Sequence, residues 1–595
     1  MTAMMTVSLG REISPVELRN WVAQIDLRDG LRFVTQMSAR TFVHATDESL
    51  RLANSHSLAI LAKAMVLWAD PNGRPLRRSA TQEEEGLLLL AAANSLPWHS
   101  RHAAETDTDR VVLSMLIRQA YQRVAADDPL DGLIARTWMM FHDIISEGGF
   151  DVADPSAELV NEFGVSAEDL WTLCLAVFSF YATITNANPN RWTFDPSNFV
   201  AEGPRREEIN AMLSRVLQRI ALSAEEFRLR YAAADSKYRD PSGQDGHWIS
   251  EFNILRDFPI VRVGPSEYCA PFPIFAFTRG AAGFYFDLWD VFFQRTGRAD
   301  NAMTTTLGDV FQEYIGAQLR QLDGRHEHLR EEFAYGPDLS MQTPDWILAR
   351  PNQVRVFFEC KARRPTLDVQ RYARVADQED ELRKGLVKAM RQFARFLHRA
   401  DNGAAGLEEF AGLERCVLAV VMYEPFPFHC VPDIRRMIER LAAEVEPLWA
   451  QIRDRVIFVP MWVRELETAV AAEVTLGIPI ESQLEQFASY RESARRIERW
   501  EGGLPVFPSH LEEFLQERFH NSRRIANPLC QSIWESFCAF AQRRIFDEDI
   551  EIIEQEIRDL TTRRLAYELW ERRSCPLWDA FTDWHQAELI LGFAQ

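Results

Sequence analysis

Apolar residues recur at helical spacing through much of the first 250 residues. Leu50 to Trp68, Glu84 to Ala92, Arg110 to Ala125 and Leu170 to Tyr181 all keep the 3.6-residue period that predicts buried or amphipathic helices. Turn-forming residues break them at Asp70-Pro71-Asn72-Gly73, at Asp128-Pro129 and from Asn186 to Asn198. Residues 1–250 therefore read as an all-helical N-terminal region. No tandem repeat is visible there, and no arrangement of carboxylates, histidines or a nucleophile points to a chemistry.

The pattern changes near residue 252. The run FNILRDFPIVRVGPSEYCAPFPIFAFTRGAAGFYF is aromatic, β-branched and punctuated by Pro and Gly. It predicts a short hairpin, Pro259 to Val263 against Tyr268 to Pro271 across a Gly264-Pro265 turn. This segment, 251–300, is expected to connect two larger units.

Beyond residue 300, strand and helix patterns alternate. A helix is predicted over Leu307 to Leu322, then a strand near His328 to Tyr335. A hairpin of Asp345 to Leu348 with Val354 to Lys361 follows, then a helix over Asp380 to Arg399. A strand at Cys416 to Tyr423, a helix at Asp433 to Trp449 and a strand at Arg455 to Trp462 complete the series. That order, α-β-β-β-α-β-α-β over residues 301–478, predicts an α/β module with a mixed sheet. Residues 479–595 return to helical spacing, with Trp534, Trp570, Trp578 and Trp584 expected as core. The predicted whole is an α/β module between large all-α N- and C-terminal regions.

At 595 residues the chain is long enough for about four domain-sized units, or two or three larger ones. Its 47% hydrophobic and 26% charged residues exclude a disordered or fibrous chain. A net charge of −21 argues against indiscriminate coating of nucleic acid or an anionic membrane, but leaves room for a local basic groove. No run reaches the roughly 18 apolar residues of a membrane span, and no leader pattern opens the chain. A soluble cytoplasmic protein without membrane partners is expected. The eight scattered cysteines form no CxxC and read as reduced, mostly buried thiols.

The chemistry concentrates in Thr343-Pro344-Asp345-Trp346 and Phe357-Phe358-Glu359-Cys360-Lys361-Ala362. Ala349-Arg350-Pro351-Asn352-Gln353 is a turn-type segment. Folding the hairpin about Asn352 sets Asp345 opposite Glu359. Side chains alternate along a strand, so Glu359 and Lys361 share one face, while Val356, Phe358 and Cys360 point the other way. Two carboxylates at that range repel unless a cation lies between them. A hard, oxygen-seeking Mg²⁺ suits the place, with the Cys360 backbone carbonyl as a third oxygen. Lys361 beside it could position or deprotonate a water, or stabilise charge on a phosphorus centre.

Pro344-Asp345 followed by Glu359-Cys360-Lys361 resembles the motif of the PD-(D/E)XK, or restriction-endonuclease-like, nuclease superfamily. The resemblance covers about residues 300–475. It implies a mixed-sheet core in α-β-β-β-α-β order and hydrolysis of phosphodiester bonds with Mg²⁺ or Mn²⁺. It implies Asp345 and Glu359 as metal ligands, Lys361 as the catalytic lysine and Glu313, on the preceding helix, as a further ligand. Some members carry Gln-x-x-x-Tyr on the next helix; here the stretch is Gln392-Phe393-Ala394-Arg395-Phe396, with Phe in place of Tyr.

That helix carries independent information. Leu382, Leu386, Ala389, Phe393 and Leu397 form its apolar face, and Lys384, Lys388, Arg391, Arg395 and Arg399 the opposite one. Residues 353–400 hold twelve Lys or Arg against six Asp or Glu, a local charge of +6 in an acidic chain. Arg363, Arg364, Lys384, Lys388, Arg391, Gln392 and Arg395 are thus the candidate nucleic-acid contacts. The absence of GxxxxGK[ST] argues against an intrinsic ATP motor, and of HExxH and GxSxG against a zincin or an α/β-hydrolase.

The expected function is metal-dependent cleavage of DNA, in the manner of a bacterial restriction or anti-phage defence effector. The helical regions would bind a protein partner or a second copy. RNA cleavage, or a helical interaction protein around a catalytically silent nuclease-like fold, are the alternatives.

Overall fold

The computed structural model describes residues 13–44, 48–76, 84, 88, 91–92, 130–187, 191–200, 205–233, 236–239, 247–249, 251–298, 300–322, 328–336, 339–349, 355–362, 375–424, 432–493, 499–501, 504–506, 511, 514–515 and 527–545. The predicted helix Arg110 to Ala125, the turn residues 350–354, Arg363, Arg364, Trp570, Trp578 and Trp584 lie outside the described residues.

The architecture is mixed α/β. In chain order the strands are β1 Ala221–Ser223, β2 Ile260–Arg262, β3 Tyr268–Cys269, β4 His328–Glu331, β5 Ala334–Tyr335, β6 Met341–Gln342, β7 Trp346–Ala349, β8 Arg355–Lys361, β9 Cys416–Met422, β10 Val456–Trp462, β11 Arg499–Glu501 and β12 Leu504–Val506. The central sheet has the order β10-β9-β8-β7-β4. β8, β9 and β10 are parallel, while β7 runs antiparallel to both β8 and β4. The register pairs Trp346 with Phe358 and Leu348 with Val356, as folding about Asn352 predicts.

Helices cover both faces of this sheet. On one face lie Ala302–Arg320, Val463–Leu476 and Ile480–Ser493; on the other lie Lys388–Asp401, Pro432–Val445 and Pro447–Ile452. The two-residue side-chain period explains how one strand serves both. Val356 and Phe358 of β8 enter the first core with Trp346, Val417, Ala419, Val421 and Met461. Phe357 enters the second with Ile347, Leu418, Val420 and Val456. The first core continues without a break into helices from both ends of the chain, including Leu130–Trp138, Ala167–Ala187 and Pro528–Ile545. A separate core forms around Pro15–Val22, Leu27–His44 and Glu48–Trp68, with Val261 and Cys269 of the small sheet.

Local signals set several of these elements. Asn301 caps Ala302–Arg320 by accepting from the Met303 and Thr304 amides at 3.0 and 3.3 Å. That helix buries Leu307, Val310, Phe311, Tyr314 and Ile315 on one side. The basic helix starts earlier than predicted, at Val375, and passes through a π turn at Arg383–Val387 before Lys388–Asp401.

The helix-only reading of the two terminal regions needs correcting. β1 lies within the first 250 residues and pairs in parallel with β2, and β11 and β12 form an antiparallel pair within the last 117 or so. Strands of three residues are too short to show a period of two, and β1 is held by a partner 39 positions away, Ile260 against Ala221. The predicted hairpin is present as β2 and β3, but residues 273–296 that follow it form helices, with Ile274 and Phe275 in the separate core and Phe277, Ala281, Phe284 and Leu288 in the first. No single helix among the described residues is long and apolar enough to cross a membrane. The described cysteines, Cys174, Cys269, Cys360, Cys416, Cys530 and Cys538, are free thiols, all buried except Cys360.

Candidate active site

Three parallel strands, β8, β9 and β10, end together, and β7 begins beside that end. Ligands of open α/β sheets favour this carboxyl edge. Lys361 is the last residue of β8, its carbonyl accepting from the Tyr423 amide at 3.1 Å. Trp462, the last residue of β10, closes the same edge by donating its indole N–H to the Tyr423 carbonyl at 3.2 Å. Asp345 immediately precedes β7. It is placed by Trp346, which is buried and donates its indole N–H to the Gln312 carbonyl at 3.1 Å. Gly316 makes this fit: a Cβ there would stand 2.1 Å from the Trp346 ring. Thr343 braces the approach, its hydroxyl accepting from the Phe333 amide at 3.0 Å.

The structure brings Asp345, Glu359, Cys360 and Lys361 together. One Asp345 oxygen accepts the Cys360 amide at 2.5 Å. The Lys361 ammonium donates to Glu359 at 2.6 Å, with Glu359 only 5% exposed. Glu359 and Lys361 lie on the Phe357 face of β8, and the Cys360 side chain packs against the first core instead. In an extended strand a residue's N–H and C=O project toward the same neighbour. The Cys360 carbonyl therefore faces the Asp345 side.

The electrostatics follow from burial. Desolvation, reinforced by the Glu359 charge, pushes the Asp345 carboxyl up to about 7, against the pull of Lys361. Burial opposes the Lys361 charge, but the Glu359 and Asp345 carboxylates overcome it and hold the ammonium above the ordinary lysine range. Burial and the neighbouring carboxylates keep the Cys360 thiol protonated, well above its usual value. Among the described residues no group of three His, Cys, Asp or Glu is arranged to hold a metal ion. A cation here would rest on two carboxylates, a backbone oxygen and water. That is an all-oxygen set, and Mg²⁺ commonly binds through one or two carboxylates while keeping several waters.

The other expected residues are dispersed. Glu313 is half-exposed on Ala302–Arg320, the helix over the opposite sheet face, and pairs with Arg320 at 3.6 Å. The basic stripe lies on the solvent side of Lys388–Asp401, whose apolar side covers Phe357. Part of the stripe is engaged: Arg395 pairs with Glu446 at 2.6 Å and Lys384 with Asp380, which offset their charges, while Arg399 donates to the Tyr335 hydroxyl at 3.3 Å. Lys388 and Gln392 are exposed and Arg391 half-exposed; none makes an ion pair or side-chain hydrogen bond among the described residues. Phe396, in place of tyrosine, is buried among Phe357, Phe393 and Phe410, where a hydroxyl would need a partner. The sequence reading missed Glu332, whose charge also acts on Asp345. The signal available was its place at the end of the strand preceding the motif.

No family model, no curated protein and no solved structure matches the chain.

Proposed function

We propose that the protein is a Mg²⁺- or Mn²⁺-dependent nuclease that hydrolyses phosphodiester bonds in DNA, acting in the cytoplasm as a restriction or anti-phage defence effector. The observation that carries this reading is the convergence of Asp345, Glu359 and Lys361 on one sheet face, at the carboxyl edge of the parallel strands. It is the arrangement expected from the resemblance to the PD-(D/E)XK superfamily. The defence role is analogy of architecture: a nuclease module without a motor sequence, embedded in large helical regions suited to a partner or a second copy.

In this reading Asp345 and Glu359 hold the cation, with the Cys360 carbonyl beside them. When bound, the cation would acidify a water and neutralise phosphate oxygens. Lys361, held protonated as it stands, donates rather than accepts: it orients the attacking water and faces the charge that grows on the phosphate. Asp345 must lose its proton to serve, so activity rises with pH through about 7. Lys388 and Arg391 are the cations of the stripe left for a phosphate backbone.

One observation favours a second reading. Lys361 pairs with Glu359 at 2.6 Å, an ion pair that a catalytically silent fold acting as a scaffold would also keep. A cleavage assay separates the two. Plasmid, linear duplex, single-stranded DNA and RNA are each incubated with Mg²⁺, Mn²⁺ or EDTA, using the wild type and Lys361→Ala. Metal-dependent cleavage lost by about 10²-fold or more in the variant supports the nuclease. Cleavage of RNA alone moves the substrate class. Cleavage that survives in Lys361→Ala or in EDTA rules out this site.

A further inference from the structure

We propose that Trp462 is a positioning residue for Lys361, acting through the backbone of Tyr423. The inference rests on the nuclease reading above and concerns how that site holds its lysine.

Two ladders flank β8 unequally. β7 follows it only as far as Phe358, which pairs with Trp346. β9 follows it to the end, where Lys361 pairs with Met422. The tip of β8 therefore has a strand neighbour on one side only. Its outermost ladder bond is the Tyr423 amide donating to the Lys361 carbonyl at 3.1 Å. β8 ends at Lys361 and β9 at Met422, so the ladder has no further rung to hold Tyr423 in line. A terminal rung of this kind opens easily unless something outside the ladder fixes it.

Trp462 fixes it from a third strand. Its indole N–H donates to the Tyr423 carbonyl at 3.2 Å. The indole is itself immobile: it is buried in the first core. The Trp462 amide donates to the buried Glu465 at 2.8 Å, where the chain turns from β10 into Val463–Leu476. Tyr423 is buried as well, its ring edge-on to Phe311 at 5.5 Å. A carbonyl in such surroundings needs a donor, and the indole is the one it has. Two hydrogen bonds through one residue thus tie a rigid ring to the backbone of Lys361. The Lys361 ammonium meets Glu359 at the end of a long side chain, so its place depends on where that backbone is held. Misplacing such a group by about 1 Å can cost up to about 10²-fold in rate.

Amide exchange and cleavage kinetics on the full chain test this. Trp462→Phe keeps an aromatic ring and removes the donor. A second protein carries the benzothiophene analogue of tryptophan at position 462, which keeps the shape and lacks the N–H. Trp449→Phe is the control, because Trp449 is buried in the second core against Phe458, further back along β10. In both proteins altered at 462, the Tyr423 amide is expected to exchange about tenfold faster or more. Their kcat in Mg²⁺ is expected to fall about tenfold, with KM within about twofold of the wild type. Trp449→Phe is expected to show neither effect. Unchanged exchange at Tyr423 overturns the inference, and so does faster exchange with unchanged kcat; both leave the nuclease reading standing. A loss in Trp462→Phe that the benzothiophene analogue restores marks packing alone and also overturns it, as does an equal loss in Trp449→Phe. A wild type that cleaves no nucleic acid overturns the inference and the nuclease reading together.

Discussion

The two faces of the central sheet solve different problems with the same strands. The face toward Ala302–Arg320 is closed. Its core runs on into helices from both ends of the chain, and several of its buried polar groups pair with one another. Arg136 meets Glu467 at 2.8 Å, and the Tyr314 hydroxyl donates to Glu467 at 2.7 Å. Gln318 donates to Tyr314 at 2.8 Å, and Asn527 donates to Gln318 at 2.8 Å. One network thus joins four helical segments far apart in sequence. The face toward Lys388–Asp401 has a smaller core and an edge where Asp345, Glu359 and Lys361 gather, with Glu359 buried and the Lys361 side chain 16% exposed. The closed face contributes rigidity, and the other can afford charge because Trp346, anchored on the closed side, holds Asp345 in place.

The comparison breaks most sharply at Arg136. Arg136→Ala leaves Glu467 buried without its cation and is expected to cost about 3–5 kcal/mol, read from urea unfolding. A cost near zero would mean the closed face is not held by this network. Gly316→Ala drives a methyl into the Trp346 ring and is expected to cost about 1–3 kcal/mol. Because Trp346 adjoins Asp345, it should weaken Mn²⁺ binding as well. A stability loss with unchanged Mn²⁺ affinity would separate the two faces after all.

The pH dependence sharpens the contrast on the other face. Asp345 is raised above its unfolded value, so the folded state binds the extra proton. Its contribution to stability is fully present below the unfolded value of about 4 and is lost as pH rises through about 7. In EDTA the melting temperature should therefore fall across that window, and Asp345→Asn should remove that fall. Added Mg²⁺ should raise stability most at the alkaline end, where the carboxylate is free to bind it. The smallest expected effect is at Lys388 and Arg391. Replacing both by Ala should change stability by less than about 0.5 kcal/mol each. It should weaken nucleic-acid binding and flatten its salt dependence by about one counterion per residue lost. Binding unchanged in affinity and salt slope would mean the stripe is only a solvated face.

The parts of this molecule carried by short-range pattern were legible. Alternation along Val356–Lys361 sorted side chains onto two faces, and a turn segment centred on Asn352 set the hairpin register. Apolar spacing located both Ala302–Arg320 and Lys388–Asp401. What the pattern lacked was anything that depends on distant partners. β1 pairs with β2 across 39 positions, and three residues hold too little pattern to announce a strand. Glu313 looks like a site residue by its place on a helix margin, but Arg320, about two helical turns further on, engages it. Glu332 looks like any surface glutamate until the β4–β7 register sets it beside Asp345. The basic stripe is visible in the sequence; that Glu446 and Asp380 neutralise part of it is not.

By itself, then, the sequence determined the order of elements around the sheet, the hairpin register and the face shared by Glu359 and Lys361. Each follows from backbone geometry over a few residues. Tertiary structure alone decided that Trp346 anchors in the notch at Gly316, that the helices of both chain ends share one core, and which charges meet. Those outcomes depend on burial and on the low dielectric between segments hundreds of residues apart, which no local pattern encodes.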